Sequence, residues 1–329
     1  MTRLTEDQLI SRFFAPLATL AGARGLTDDA AVLSVPAGRH LVVTADMLVA
    51  GVHFLADDAA DLVARKSLRV NLSDLAAKGA RPHAFTLSLA LPAGWTDEWL
   101  ALFAEGLARD AAAFSFSLLG GDTVRTPGPL TIAVTAFGLV PAADIPRRDG
   151  ARAGDAVYVS GTIGDGALGL LTRTGRDAFA DRLGPEDRAF LTGRYLLPEP
   201  RVALAPALLA HASATMDVSD GFVGDLAKLL RASGVSATID LSQVPLSAAA
   251  RRAVAGDAAC FETALTGGDD YEILCTVPPS GEEAFVGAAK AARIDVTRVG
   301  VVTEEAGPPR FIAPGGADTR FARGSFSHF

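Results

Sequence analysis

The sequence predicts two mixed domains, each of α/β or α+β type, on three observations. The chain has 329 residues, more than one hydrophobic core ordinarily organises. Stretches with helical apolar spacing alternate with strand-like ones along its length, an order that lays helices against sheets. Residues 141–154 contain two prolines, two glycines and the charged Arg147, Arg148, Asp149 and Arg152. That stretch reads as a linker, so the expected domains are 1–140 and 155–329.

The first half begins with Thr5-Glu6-Asp7-Gln8, which has capping-box spacing. Leu9, Ile10, Phe13, Phe14 and Leu17 follow at helical intervals, with Gly22 and Gly25 as the expected stop. A strand rich in β-branched residues is expected over 40–47, a helix over 61–78 and an alternating strand over 85–91. A second helix is expected over 97–113 and a buried strand over 116–119, ending at Gly120. The strand over 130–140 reads as the return arm of a long hairpin. Asn71, Asp74 and Lys78 fall at i, i+3 and i+7, so they share a helix face, most simply a solvated one.

The second half predicts strands over 156–160, 215–218, 237–241, 273–277 and 296–302. Helices are expected over 165–174, 185–195, 202–211, 222–232 and 281–291. Gly164-Asp165-Gly166-Ala167-Leu168-Gly169 matches G-x-G-x-x-G between a strand and a helix. A dinucleotide site also needs a strand ending in an acidic residue about 20 positions on, and none follows. The motif therefore reads as a glycine-rich turn.

The remaining signal is acidic. Thr27-Asp28-Asp29-Ala30, the stretch from Thr44 through Asp46 to His53, Asn71-Leu72-Ser73-Asp74 and Gly120-Gly121-Asp122-Thr123 place carboxylates beside apolar runs or turns. Asp217-Val218-Ser219-Asp220-Gly221 and Gly267-Gly268-Asp269-Asp270-Tyr271-Glu272 repeat the pattern. Taken singly, these are turn or capping residues; Ser219 or Asp220 is the expected cap of the helix that follows. Taken together, they point to oxygen ligands for hard cations.

Composition narrows the classes further. A net charge of −8 without a basic cluster argues against nucleic-acid binding. Cys260 and Cys275 make neither a disulfide framework nor a zinc pattern. His40, His53, His83, His211 and His328 are dispersed and no G-x-S-x-G elbow or P-loop occurs, so no covalent nucleophile is expected. Glu6 and Asp7 precede any apolar run, and no apolar stretch reaches the roughly 18 residues of a membrane helix. The expectation is a cytoplasmic protein without membrane association.

The six acidic stretches, in this order and spread over nearly the whole chain, resemble those of the thiamine-monophosphate kinases, within the superfamily of aminoimidazole ribonucleotide synthetase. The resemblance implies a homodimer whose N-terminal sheets pair into a barrel, and a C-terminal α/β domain completing the site. It implies transfer of a phosphoryl group from ATP to thiamine monophosphate with several Mg²⁺ ions. By matching position it implies metal contacts at Asp29, Thr44, Ala45, Asp46, Asp74, Asp122, Asp217 and Asp220, Ala45 through its backbone carbonyl. Nucleotide contacts fall on Gly121, Asp122, Arg148 and Ser219, and thiamine phosphate contacts on His53, Asp269 and Phe326. Asp269 departs from the pattern, which commonly has Glu there. Alternatives are another ATP-using enzyme of the superfamily, or a catalytically silent nucleotide-binding relative. Superfamily members that use a reactive cysteine carry it in an N-terminal glycine-rich loop or a C-terminal tail, where this chain has none.

Overall fold

The computed structural model describes residues 5–142, 145–175, 179–255, 257–322 and 324–326. The chain divides into two compact units, Met1–Leu75 with Ala80–Ala143, and Ala76–Gly79 with Asp144–Phe329. Ala143 and Asp144 of the expected linker lie outside the described residues, as does His328.

In the first unit Thr5 and Gln8 form a capping box. The Thr5 N–H donates to Gln8 Oε1 at 3.0 Å, and the Gln8 N–H to Thr5 Oγ1 at 3.3 Å. The helix they open, α1 (Glu6–Leu9), stops well short of Gly22. It widens into a π turn over Ile10–Phe14 and tightens into a 3₁₀ turn over Ala15–Leu17. Pro16 accounts for the interruption, since it has no N–H to give to the helical ladder. Leu9, Phe13, Phe14 and Leu17 are nevertheless buried.

The elements that follow are β1 (Arg39–Val49), α2 (Ala60–Ala77), β2 (Arg81–Leu91), α3 (Asp97–Phe114), β3 (Ser117–Arg125) and β4 (Thr131–Pro141). The strands form a sheet of order β1-β4-β2-β3, antiparallel except between β2 and β3. Two expectations are corrected here. Strand β3 does not end at Gly120, because its pairing with β2 continues from Thr86–Gly120 to Leu91–Arg125. Strand β4 is not the return arm of a hairpin with β3, because β1 and β2 take both its edges. The parallel β2–β3 pair needs a crossover, and α3 supplies it. Helices α2 and α3 approach closely at Gly106, where an added Cβ would lie 2.3 Å from the Asp61 carbonyl oxygen. Buried Asp110 of α3 then accepts from Arg65 at 3.0 Å and from Arg69 at 2.6 Å, both on α2.

The second unit contains β5 (Ala156–Ser160), α4 (Asp165–Thr174), α5 (Pro185–Leu196), α6 (Ala205–His211), β6 (Ala214–Val218) and α7 (Phe222–Ser233). After these come β7 (Ser236–Asp240), α8 (Ala248–Val254), α9 (Ala258–Thr266), β8 (Glu272–Val277), α10 (Glu282–Ala291), β9 (Val296–Thr303), β10 (Arg310–Ile312) and β11 (Asp318–Thr319). Among the described residues, the sheet order is β11-β10-β7-β9-β5-β8-β6, with only β7 and β10 parallel. Helices cover both faces of this sheet, α7 against Val157, Val159 and Leu274 and α6 and α10 against Tyr158, Ile273 and Cys275, so the unit is a mixed α/β domain whose strands pair mostly antiparallel. Helices α8 and α9 occupy a stretch that apolar spacing leaves unassigned; their signals are caps, Ser247 accepting from the Ala250 N–H and Asp257 from the Cys260 N–H.

Candidate active site

In the N-terminal unit, alternation along β1 puts Thr44, Asp46 and Leu48 on one face of the sheet and Val43, Ala45 and Met47 on the other. The Thr44 hydroxyl donates to Asp74 Oδ2 of α2 at 2.6 Å. Burial, and then the neighbouring Asp74 charge, push the Asp46 carboxyl up to about 6. The helix face of Asn71, Asp74 and Lys78 is therefore not the solvated face expected. Asn71 is fully buried, its Nδ2 donating to the Ser67 carbonyl at 3.0 Å, while its Oδ1 has no partner. Lys78 donates to the Thr215 carbonyl at 2.8 Å. Strand β1 reaches the middle of this face through the Thr44–Asp74 bond, and Lys78 is held at its end by the Thr215 carbonyl.

Asp29 and Asp122 belong to a different set. They line a cavity of about 550 Å³ together with Asp28, Gly120, Gly121, Thr86, Leu41 and Phe137; Thr44, Asp46 and Asp74 do not border it. Asp28 is occupied with turn chemistry, accepting from Arg24 at 2.7 Å and from the Asp29 N–H at 2.8 Å. Gly121 is required by space, since a Cβ there would lie 1.7 Å from the Leu87 carbonyl oxygen. Among the described residues, no three carboxylates, histidines or cysteines are close enough together to cage a metal ion.

His53 is presented by a tight turn. The Gly51 N–H donates to the Phe54 carbonyl at 2.7 Å and the His53 N–H to the Val49 carbonyl at 3.0 Å. The Val49 N–H in turn donates to His53 Nδ1 at 3.0 Å. That bond puts the proton of the neutral ring on Nε2, which is then a donor. Lys66, buried on α2, donates to the His53 carbonyl at 3.0 Å and holds the turn against the helix.

In the C-terminal unit, the loop after β6 and the loop before β8 are tied into one body. The Asp269 N–H donates to the Ser219 carbonyl at 2.9 Å, the Tyr271 N–H to the Val218 carbonyl at 2.8 Å, and the Phe326 N–H to the Asp220 carbonyl at 3.0 Å. Ser219, Asp220, Asp269 and Phe326 are thereby brought together. Asp217 is buried in β6 opposite Ile273. Arg148 is not part of this group. Its neighbour Arg147 bridges to Ala214 at the opposite end of β6, some ~13 Å of strand away.

Neither Ser219 nor Asp220 caps α7. Gly221, at φ +125°, turns the chain so that Asp225 Oδ2 accepts from the Asp220 N–H at 2.9 Å and the Gly221 N–H at 3.2 Å. Lys228 donates to Asp225 Oδ1 at 2.8 Å and also pairs with Asp220. Burial raises the Asp225 carboxyl, against the pull of Lys228. Lys66, Asp225 and Lys228 are residues the sequence reading missed. For the last two a signal existed, a carboxylate and a lysine three apart on a helix that starts beside Asp220.

The profile of the AIR synthase related protein N-terminal domain matches residues 27–140, and that of its C-terminal domain matches residues 152–310. The chain is 45% identical over 307 residues to a thiamine-monophosphate kinase of Caulobacter vibrioides, covering 92% of this chain and 85% of the relative. It is similar to the crystal structure of a thiamine-monophosphate kinase from Stenotrophomonas maltophilia, with a TM-score of 0.79, 40% identity, and 89% and 90% of the two chains covered. It is also similar to AaThiL complexed with AMPPCP and TMP, with a TM-score of 0.76, 28% identity, and 100% and 99% covered.

Proposed function

The chain belongs to the thiamine-monophosphate kinases of the AIR synthase related family, and on that premise we propose how its residues transfer a phosphoryl group from ATP to thiamine monophosphate. The observation that carries the reading is the half-buried pairing of Asp46 with Asp74. Two carboxylates so placed repel ATP and a phosphate monoester alike unless cations stand between them. The complex of AaThiL with AMPPCP and TMP supports a site that takes nucleotide and acceptor together.

The donor set fits Mg²⁺. This ion takes one or two carboxylates and completes its shell with waters and substrate phosphates, so a cage of three carboxylates is not required. Asp46 and Asp74, with the Thr44 hydroxyl and the Ala45 carbonyl beside them, would hold one group of ions; Asp29 and Asp122 on their cavity, and Asp217 and Asp220 in the second unit, would hold others. When bound, Mg²⁺ would supply positive charge that neutralises the phosphates.

Gly121, Asp122, Arg148 and Ser219 bind the nucleotide, Arg148 as a charge partner for phosphate oxygens. His53 donates from Nε2 to the acceptor phosphate, and Asp269 and Phe326 complete the acceptor site. Thiamine monophosphate attacks with a phosphate oxygen whose last proton has a pKa near ~6, so it is mostly deprotonated at neutral pH and no strong base is needed. The chain's own work is positioning and exclusion of competing water. No side chain carries a covalent intermediate.

The working unit is a homodimer of a cytoplasmic enzyme. Edge strand β1 turns Val43 and Met47 outward at 55% and 59% exposure, on a face that is apolar and uncovered. Such an edge is a ready surface for a second sheet. Among the described residues, no helix is long and apolar enough to cross a membrane.

Purified protein incubated with ATP, Mg²⁺ and thiamine monophosphate should produce ADP and thiamine diphosphate in equal amounts. Release of ADP without thiamine diphosphate would point to another reaction of the superfamily, and release of neither to a silent nucleotide-binding protein.

A further inference from the structure

The G-x-G-x-x-G turn opening α4 does have an acidic group at its N-terminus, and the group is the chain's own. Asp270, 2% exposed, accepts the Gly164 N–H on Oδ2 at 2.7 Å and the Gly166 N–H on Oδ1 at 3.0 Å. Backbone N–H groups at a helix start are suited to this use. The glycines are needed for close approach as well. A Cβ on Gly166 would lie 2.3 Å from the Asp269 carbonyl oxygen, and one on Gly164 would lie 2.5 Å from Ala264 Cβ.

Asp269 is thus gripped from three sides. Gly166 packs on its carbonyl, its N–H is bound by Ser219, and its neighbour Asp270 is clamped by α4. Its backbone is left-handed, at φ +73°, and so is that of Tyr271, at φ +53°. Two left-handed non-glycine residues in three positions persist only where the surroundings over-determine them. Beyond them Glu272, fully buried, accepts from Ser160 at 2.6 Å, Arg194 at 2.9 Å and Arg201 at 2.7 Å. Asp269 has a single methylene between backbone and carboxylate, so the carboxylate goes where the backbone sends it.

We propose that Asp270 is a positioning residue for substrate binding: docked on the first turn of α4, it fixes the backbone that aims the Asp269 carboxylate at thiamine monophosphate. The proposal rests on the reading that Asp269 contacts that substrate.

A mutant cycle separates the two. Asp269→Ala, Asp270→Asn and the double variant are compared for the KM of thiamine monophosphate, with Tm as the check on folding. A displacement of about 1 Å costs up to roughly a hundredfold, so Asp270→Asn should raise that KM by about tenfold or more. In the Asp269→Ala background the same change should add less than about twofold, because there is no carboxylate left to aim. An equal factor in both backgrounds, or no effect of Asp270→Asn in a folded protein, overturns the positioning role. If Asp269→Ala alone leaves the KM unchanged, the substrate contact at Asp269 is wrong and the proposal falls with it. Should Asp270→Asn fail to fold, Gly166→Ala takes its place in the cycle. It keeps the clamp and pushes directly on the Asp269 carbonyl, and the same coupling to Asp269 is expected.

Discussion

The Thr44 hydroxyl donates to Asp74 at 2.6 Å, tying the middle of β1 to α2 beside a second carboxylate, Asp46, whose pKa is raised by burial and then by the Asp74 charge. This arrangement is unfavourable for an isolated protein and useful for one that recruits cations. Asp46→Asn removes a repulsion, so without Mg²⁺ the variant should melt no lower than the wild type. Its turnover should nevertheless fall by roughly a hundredfold or more, the scale on which metal sites respond to lost partners. Asp122→Asn should lose turnover to a similar degree. Either folded variant retaining near-full turnover would sink the metal assignment. In the wild type, Mg²⁺ should raise Tm, and Asp74→Asn should blunt that rise.

His53 offers a donor from Nε2 because Nδ1 is held by the Val49 N–H. A hydrogen bond to a charged group is worth about 1.5–3 kcal/mol, so His53→Ala should raise the KM of thiamine monophosphate by roughly ten- to a hundredfold. The KM of ATP should change less. An equal or larger effect on ATP would place His53 on the nucleotide side. Free thiamine should not be phosphorylated, since the attacking group is a phosphate oxygen rather than an alcohol.

Asp257 gives a stability prediction with a defined sign. Its side-chain bond from Arg182, and then the Cys260 N–H, hold the carboxyl below the usual range. A group depressed in the folded state stabilises above its unfolded pKa of about 4 and loses that contribution as pH falls toward the native value. Asn also caps helices, so Asp257→Asn removes the charge while keeping the cap. Melting curves should show the wild type above the variant at pH 7, with the gap closing below about pH 4. A gap unchanged down to pH 3 would mean that the Arg182 pair adds nothing.

The dimer prediction follows from β1. Met47→Lys and Val43→Glu place charges on the exposed sheet face without touching Thr44 or Asp46, which lie on the other side. Light scattering should report a dimer for the wild type and a shift toward monomer in the double variant. A wild type that is monomeric at micromolar concentration would exclude this surface as the interface.

Much of the fold was legible because periodicity and caps are local. Strand β5 and helix α4 have the limits expected, and Thr5 and Gln8 form the box their spacing announces. What escaped depends on long-range pairing. Nothing near Gly120 says that β2 will carry β3 onward, and nothing in 130–140 says that β1 and β2 will take both its edges. The same holds in the candidate site. The acidic turns were visible, but Asn71 and Asp74 read as solvated until β1 was laid against them. The capping role of Asp225 required the left-handed turn at Gly221, and Asp270 required a helix more than a hundred residues away in sequence.

The last prediction concerns the course of the transfer. The carboxylates are suited to holding cations rather than to accepting a phosphoryl group, and Asp220 is already paired with Lys228. His53 has one ring nitrogen committed to the Val49 N–H, and His40 and His211 stand on other elements, at the start of β1 and the end of α6. Among the described residues a phosphoenzyme therefore has no evident carrier, and a single in-line displacement within a ternary complex is expected. Initial-rate lines for ATP and thiamine monophosphate should intersect, whereas a covalent intermediate gives parallel, ping-pong lines. Stereochemistry is the stricter criterion. With ATP made chiral at the γ-phosphorus, one displacement inverts the configuration and two restore it. Net retention would require a phosphorylated side chain and overturn the mechanism, even with thiamine monophosphate as the acceptor.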